Sequence, residues 1–367
     1  MAYKGIKNNT PYVVEPLLLA DEDGRDIMVV LAKATYDLDS RGVLVLAQTQ
    51  APLYLAGEHY GDPEKTSLKY APEGSFAKLG TDVAMIGHAY APKGRTVTQM
   101  DVALQVGKLK KSVRIFGDRV WKKSAGLFAD TWKMSAPLPF DKMPLRYERA
   151  YGGQDLTPED KKYHAFEARN LIGVGVVAAH SAKTTEPAPN IEDPNHLIQK
   201  ITDRPAPAGF GFVAPHWQPR LAYVGTYDEA WQMSRMPLLP KDFNRKYFNA
   251  ASAGLLASEF LTGTEPVMIV GATPEGRTQF NLPGGKPEMQ VSMAGETTVA
   301  LEVCLDSVVI NTDERRVQML WRAAVPVYQR IYDLEEIVVS GAASSLNKPQ
   351  AASTLYTKQS TGASAWA

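Results

Sequence analysis

The chain has 367 residues, of which 44% are hydrophobic and 22% charged, a length for one large or two ordinary domains and the composition of a globular protein. Forty basic and forty acidic side chains cancel to a formal net charge of zero. That balance excludes the basic footprint that phosphate contacts demand of a nucleic-acid binder.

The opening M-A-Y-K-G-I-K-N-N-T-P-Y has no apolar stretch of the secretory-signal type. From Tyr12 to about Lys123 the pattern is mostly strand. Ile27 to Tyr36, the turn D-L-D-S-R-G and Val43 to Leu46 predict a hairpin. Val97 to Val106 alternates with period two, turns through the basic cluster Gly107 to Lys111, and returns through Ser112 to Trp121. On the returning strand Val113, Ile115 and, past Gly117, Val120 are expected on the apolar face, as in a half-buried antiparallel sheet. Leu145 to Gly153 reads as a further strand, with Leu145, Tyr147, Arg149 and Tyr151 on one face and Arg146 and Glu148 on the other.

The middle of the chain is different. From Pro187 to Asn249 proline, glycine and large aromatics recur too often for a long helix or a central strand. Phe210, Phe212, Trp217, Tyr223, Tyr227, Trp231, Phe243, Tyr247 and Phe248 supply enough apolar area to order it. Short helices are expected after Asp193-Pro194, with Leu197, Ile198 and Ile201 as the apolar stripe, and from about Ser252 to Thr262. Another is expected to start at a capping box of Thr226 and Glu229 and to end by Met236, because Pro237 follows. The longest apolar run, Leu171 to Ala179, is nine residues with two glycines, far short of the roughly 20 a membrane span needs.

Beyond Glu265 strands return: Val267 to Ala272 and Thr278 to Leu282 flank T-P-E-G, and Thr297 to Ile310 and Arg316 to Val327 flank N-T-D-E-R. In the third of these Val299, Leu301, Val303 and Leu305 share a face, and the lone Cys304 falls on the other as an incidental residue. A single cysteine allows no internal disulfide and points to a reducing, cytoplasmic setting. The fold expected is mainly β, an antiparallel sandwich-like architecture with a few short helices and a long irregular centre. By composition it divides into a β-rich block at 1–135, the irregular region at 136–264, a second β-rich block at 265–339 and an Ala/Ser/Thr-rich tail at 340–367. The tail has too little apolar area to order itself without a partner.

Motifs of chemistry are sparse. Gly173-Val-Gly175-Val-Val-Ala178 and Gly209-Phe-Gly211-Phe-Val-Ala214 mimic a dinucleotide fingerprint, but H-S-A-K-T-T-E-P and P-H-W-Q-P follow them instead of a helix. Those glycines read as tight turns or close backbone approach. The six histidines show no metal-ligand spacing, and no nucleophile elbow or phosphate loop is present, so no catalytic, metal or cofactor residue is assigned. The aromatic middle also suits a carbohydrate-binding or carbohydrate-active protein, with Asp228, Glu229 and Asp242 as its carboxylates.

Taken in order, L-R-Y-E-R-A-Y-G-G, N-I-E-D-P, P-A-G-F-G-F, W-Q-P-R, G-T-Y-D-E-A-W, P-L-L-P-K-D-F-N and Y-F-N resemble the domain-of-unknown-function family 2169, from roughly Ile6 to Leu305. The resemblance implies a non-enzymatic adaptor or chaperone of type VI secretion. Its partner would be an effector carrying a PAAR or Rhs domain, loaded onto the VgrG spike, with neither nucleic acid nor membrane involved. A structural part of the secreted spike is the alternative in the same setting. Arginine and aromatic side chains dominate interfaces, so Arg146, Arg149, Tyr151, Trp217, Arg220, Tyr227 and Trp231 are the candidate partner-binding residues. Among them Trp217 and Trp231 are expected to behave as core and the three arginines as surface.

Overall fold

The computed structural model describes residues 5–92, 95–126 and 130–341, so the expectation for the Ala/Ser/Thr-rich tail falls almost wholly outside it. The long strand Asp26–Leu38 sets the architecture. With a side-chain period of two, Val30, Ala32, Ala34 and Tyr36 face one side and Val29 and Leu31 the other, and all six are buried. A strand buried on both faces needs a layer on each. It pairs antiparallel with Val13–Ala20 and with Arg316–Pro326, where Trp321 lies opposite Ala32 and Met319 opposite Ala34. Cys304–Asn311 follows antiparallel, and Asp82–Ile86 closes the central sheet in parallel.

Against one face of this sheet lies a second, ordered Ile191–Glu192, Leu109–Phe116, Gln99–Val106, Pro266–Val270 and Arg277–Asn281. A third contains Glu288–Met293 and Leu334–Ser340, with Ile6–Asn9 parallel to the latter. Leu104, Val113 and Ile269 from the second and Val291 and Ile337 from the third join Ala32, Met319 and Trp321 in one apolar core. Each fully buried aliphatic side chain there contributes about 1.5–3 kcal/mol relative to exposure. The fold is thus mainly β and sandwich-like, as the alternating patterns predict. The two β-rich blocks interleave: Asp26–Leu38 pairs with Arg316–Pro326, and Gln99–Val106 with Pro266–Val270.

The Pro- and aromatic-rich segment supplies much of the layer on the other face. Phe212 and Ala250 pack with Leu68 and Tyr70 over Ala84, Ile86 and Val309. Phe76, Leu239, Phe243 and Phe248 cover Val29, Leu31 and Leu320. Beneath this layer six charges are buried and balanced. Lys33 Nζ lies 2.7 Å from Glu73, Lys78 Nζ 2.8 Å from Asp82 and 3.5 Å from Asp306, and Arg322 grips Asp306 with two bonds of 3.0 and 2.8 Å. The leftover acceptors are used: Glu73 takes the Tyr54 N–H, and Asp82 takes those of Ala250 and Ala251. Burial alone would depress the Lys78 pKa, but Asp306 and Asp82 raise it and keep the ammonium charged. The network pins loop backbone to the sheet.

Three expected helices resolve into one. The α-helix α1 spans Glu229–Ser234 and ends before Pro237 as predicted, but its cap is Asp228, which accepts from the Trp231 N–H at 2.8 Å. Thr226 instead donates its hydroxyl to Asp242 at 2.7 Å, so the cap lies two residues later than the predicted capping box. After Asp193 no helix forms: the N–H groups of Gln199 and Lys200, which it would need, go to the Asp203 side chain. Between Ser252 and Thr262 the N–H groups of Ala257 and Leu261 go to the backbone and hydroxyl of Thr81. The remaining helical turns are of the 3-10 type.

Strand expectations also shift. Tyr147–Arg149 is a 3-10 turn, closed by the Ala150 N–H on the Tyr147 carbonyl, and only Tyr151–Gly152 is extended and paired. Past Gly117 the returning strand of the second hairpin breaks, so that Arg119 and Trp121 are buried and Val120 is not. Thr297 to Ile310 likewise splits, with Val299 exposed in the third sheet and Cys304–Asn311 in the central one. Gly173 has the predicted role of close approach, since a Cβ there would lie 2.6 Å from the Ala150 carbonyl oxygen.

Candidate partner-binding face

The central-sheet strand Asp82–Ile86 ends at Gly87, whose φ of 137° turns the chain. A Cβ at Gly87 would meet Thr312 Oγ1 at 2.1 Å, so glycine lets the turn at 312–313 come close. Beyond it, His88–Tyr90 pairs with Lys142–Pro144 in a two-stranded antiparallel ribbon. Ala89, Met143 and Leu145 point inward and are buried. The same alternation leaves His88, Tyr90, Lys142, Pro144 and Arg146 on the outer face, none of them buried.

Asp313 reaches this face from the turn between the two C-terminal strands of the central sheet. Its Oδ2 lies 2.6 Å from His88 Nδ1, and its Oδ1 accepts from the Tyr90 hydroxyl at 2.8 Å. An ionised carboxylate only accepts, so Nδ1 carries the imidazole proton. Burial and then the bond to Asp313 raise the Tyr90 pKa against the pull of Lys142, whose ammonium is 5.0 Å from the Tyr90 ring centre.

At the end of the ribbon the Arg146 guanidinium lies over the Tyr60 ring, 3.8 Å from its centre. Tyr60 is itself held. Its N–H donates to the Ser67 carbonyl at 3.1 Å, and Ser67 donates its N–H and hydroxyl to Glu148 at 3.0 and 2.7 Å. Arg146 and Glu148 therefore do not pair with each other, as a surface ion pair on one strand face would require. Both grip the 60–67 loop, and among the described residues the Arg146 side chain makes no hydrogen bond or ion pair.

The other candidate residues do not gather around Arg146. Arg149 donates to Asp118 at 3.0 Å and Asn190 at 3.2 Å instead of stacking between tyrosines. Tyr151 and Trp217 are 2% and 1% exposed and belong to the interior, as expected for Trp217. Arg220 corrects the surface expectation: it is 6% exposed and ties Val213 and Tyr247 together through their carbonyls at 2.6 and 3.0 Å. Two of its five N–H donors thus go to carbonyls, and burial lowers its pKa. Trp231 is half-buried, bonding the Leu238 carbonyl at 2.9 Å and meeting the exposed Tyr227 edge-on at 4.6 Å between centres. Beside them Met233 and Met236 are largely exposed.

Of the carboxylates considered for sugar chemistry, Asp228 caps α1 and Asp242 accepts the N–H and hydroxyl of Thr226. Among the described residues no group of three or more His, Cys, Asp or Glu side chains is placed to hold a metal ion, and no helix is long and apolar enough to cross a membrane. The sequence reading missed His88, Tyr90, Lys142, Asp313 and Tyr60. The one local signal was the alternation in H-A-Y and K-M-P-L-R.

Neither the curated proteins nor the solved structures offer a match to this chain. The family described as "Uncharacterized protein conserved in bacteria (DUF2169)" matches residues 23–322, from the turn before Asp26–Leu38 into Arg316–Pro326, and the chain belongs to that family.

Proposed function

We propose that this protein is a non-enzymatic adaptor of type VI secretion. It binds an effector carrying a PAAR or Rhs domain in the cytoplasm of the producing cell and assists its loading onto the VgrG spike. The observation that carries the reading is the state of Arg146: a partly exposed guanidinium, laid on a ring that is itself fixed, with its donors unspent. Pre-ordered arginine and aromatic side chains lose little entropy on binding and dominate protein interfaces. The exposed Tyr227, Met233 and Met236 around α1 add apolar contact of the adaptable kind that binding surfaces use. The type VI setting is what the resemblance of the sequence motifs implies.

The test is co-expression with the PAAR or Rhs protein encoded beside it. A complex that co-elutes through size exclusion at a fixed ratio is the expected result. Separate elution of two folded proteins would refute the reading.

A further inference from the structure

We infer that the outer face of the His88–Tyr90 and Lys142–Pro144 ribbon is a carboxylate-recognition site, in which Arg146 on Tyr60, with Lys142 further along the same face, receives an acidic stretch of the partner protein. The inference rests on the adaptor reading and names the chemistry of what that adaptor grips.

The argument starts from spent and unspent donors. A guanidinium carries five N–H donors in one plane. Stacking on Tyr60 at 3.8 Å uses the face of that plane and leaves its edge free. Other arginines of the fold spend theirs: Arg149 on Asp118, Arg316 on Asp37, Arg114 on Asp101, and Arg220 on two carbonyls. The acids near Arg146 are already engaged. Asp313 is held by His88 and Tyr90, and Glu148 by Ser67. The edge of Arg146 is therefore open to an acceptor from outside, in the fixed geometry that suits a planar bidentate carboxylate.

Lys142, two places before Pro144 on the same outer face, adds a second cation for a neighbouring acid. Its pKa is raised, chiefly by the adjacent Tyr90 hydroxyl and then by the charges of Asp313 and Asp141. Those carboxylates and Glu148 also set the selectivity. They repel the double charge that a phosphate concentrates on one group, whereas separate single carboxylates meet Arg146 and Lys142 one at a time, so the site favours aspartate and glutamate.

The experiment uses the full chain and three capped fluorescent peptides of one length, bearing Glu-Glu-Asp, Gln-Gln-Asn or phosphoserine at the centre. Fluorescence anisotropy at low salt is expected to show the acidic peptide binding at least tenfold more tightly than the amide peptide and no more weakly than the phosphopeptide. Arg146→Gln and Arg146→Lys should each lose that preference, Lys142→Gln should reduce it, and all three should melt within about two degrees of wild type. A preference that survives Arg146→Gln, equal binding of acid and amide, or tenfold tighter phosphopeptide binding would overturn the site. Should Arg146→Gln unfold the chain, Arg146→Lys carries the test, because it keeps the charge and loses the fork. The co-expressed effector separates the two claims. Equal retention by wild type and Arg146→Gln overturns the site and leaves the adaptor standing. Failure of wild type to retain the effector removes the adaptor, while the peptide preference still decides the site.

Discussion

Lys33 and Glu73, forty residues apart, meet at 2.7 Å beneath the irregular layer, their side chains 1% and 9% exposed. The lysine interrupts an otherwise apolar strand, I-M-V-V-L-A-K-A-T-Y, so the sheet and the loop above it are bound by a charge pair where a methionine would pack.

Removing one partner of such a pair leaves an uncompensated buried charge. Glu73→Ala is expected to destabilise the fold by about 3–5 kcal/mol, and Lys33→Met combined with Glu73→Leu to recover most of that loss. Denaturant midpoints of the two variants check this. A single variant as stable as wild type would mean that water reaches the pair.

For α1, Asp228→Ala should cost about 0.5–2 kcal/mol, because it strips the acceptor from the Trp231 N–H. Thr226→Ala breaks an exposed bond to Asp242 and should cost less. The reverse order in urea titrations would restore Thr226 as the cap.

Asp155 carries a pH dependence. Burial pushes its pKa up, but the Ala178 N–H, the Ser181 and Thr157 hydroxyls and the Thr157 N–H outweigh that and hold it at about 2, below its ordinary 3.8. A folded pKa below the unfolded one gives stability that is complete above pH 4 and lost as pH falls toward 2. A shift of that size corresponds to about 2 kcal/mol. The stability difference between wild type and Asp155→Asn should therefore shrink from pH 5 to pH 2. A difference that stays constant over that range would remove Asp155 as its source.

Trp217→Ala, emptying a buried site, should lose about 3–5 kcal/mol. Tyr227→Ala, at 46% exposure, should leave the melting temperature nearly unchanged and weaken retention of the effector. Calorimetry and a pull-down on both variants read the contrast. A large loss of stability in Tyr227→Ala would assign that ring to packing.

The hairpins were legible because period two is a local property, and the turns D-L-D-S-R-G and T-P-E-G carry their own geometry. The failed helix between Ser252 and Thr262 was illegible because its fate lies in a remote acceptor: Thr81 takes the donors of Ala257 and Leu261. The candidate site shows the same division. Arg146 was visible as an arginine among aromatics, but its stacking partner is Tyr60, far upstream, and not the tyrosines beside it. Asp313, which holds His88 and Tyr90, lies more than two hundred residues from either and has no motif to announce it. Chemistry that depends on a pair brought together by the sheets cannot be read from spacing.

The most direct measurement is purification of the tagged protein from its native cell after mild cross-linking, with bound proteins identified by mass spectrometry and the culture medium assayed in parallel. The adaptor account predicts a PAAR- or Rhs-bearing effector in near-stoichiometric amount in the cell fraction and none of the tagged protein in the medium. Recovery of the protein in the medium together with the spike, or a cell fraction without any such effector, would contradict it.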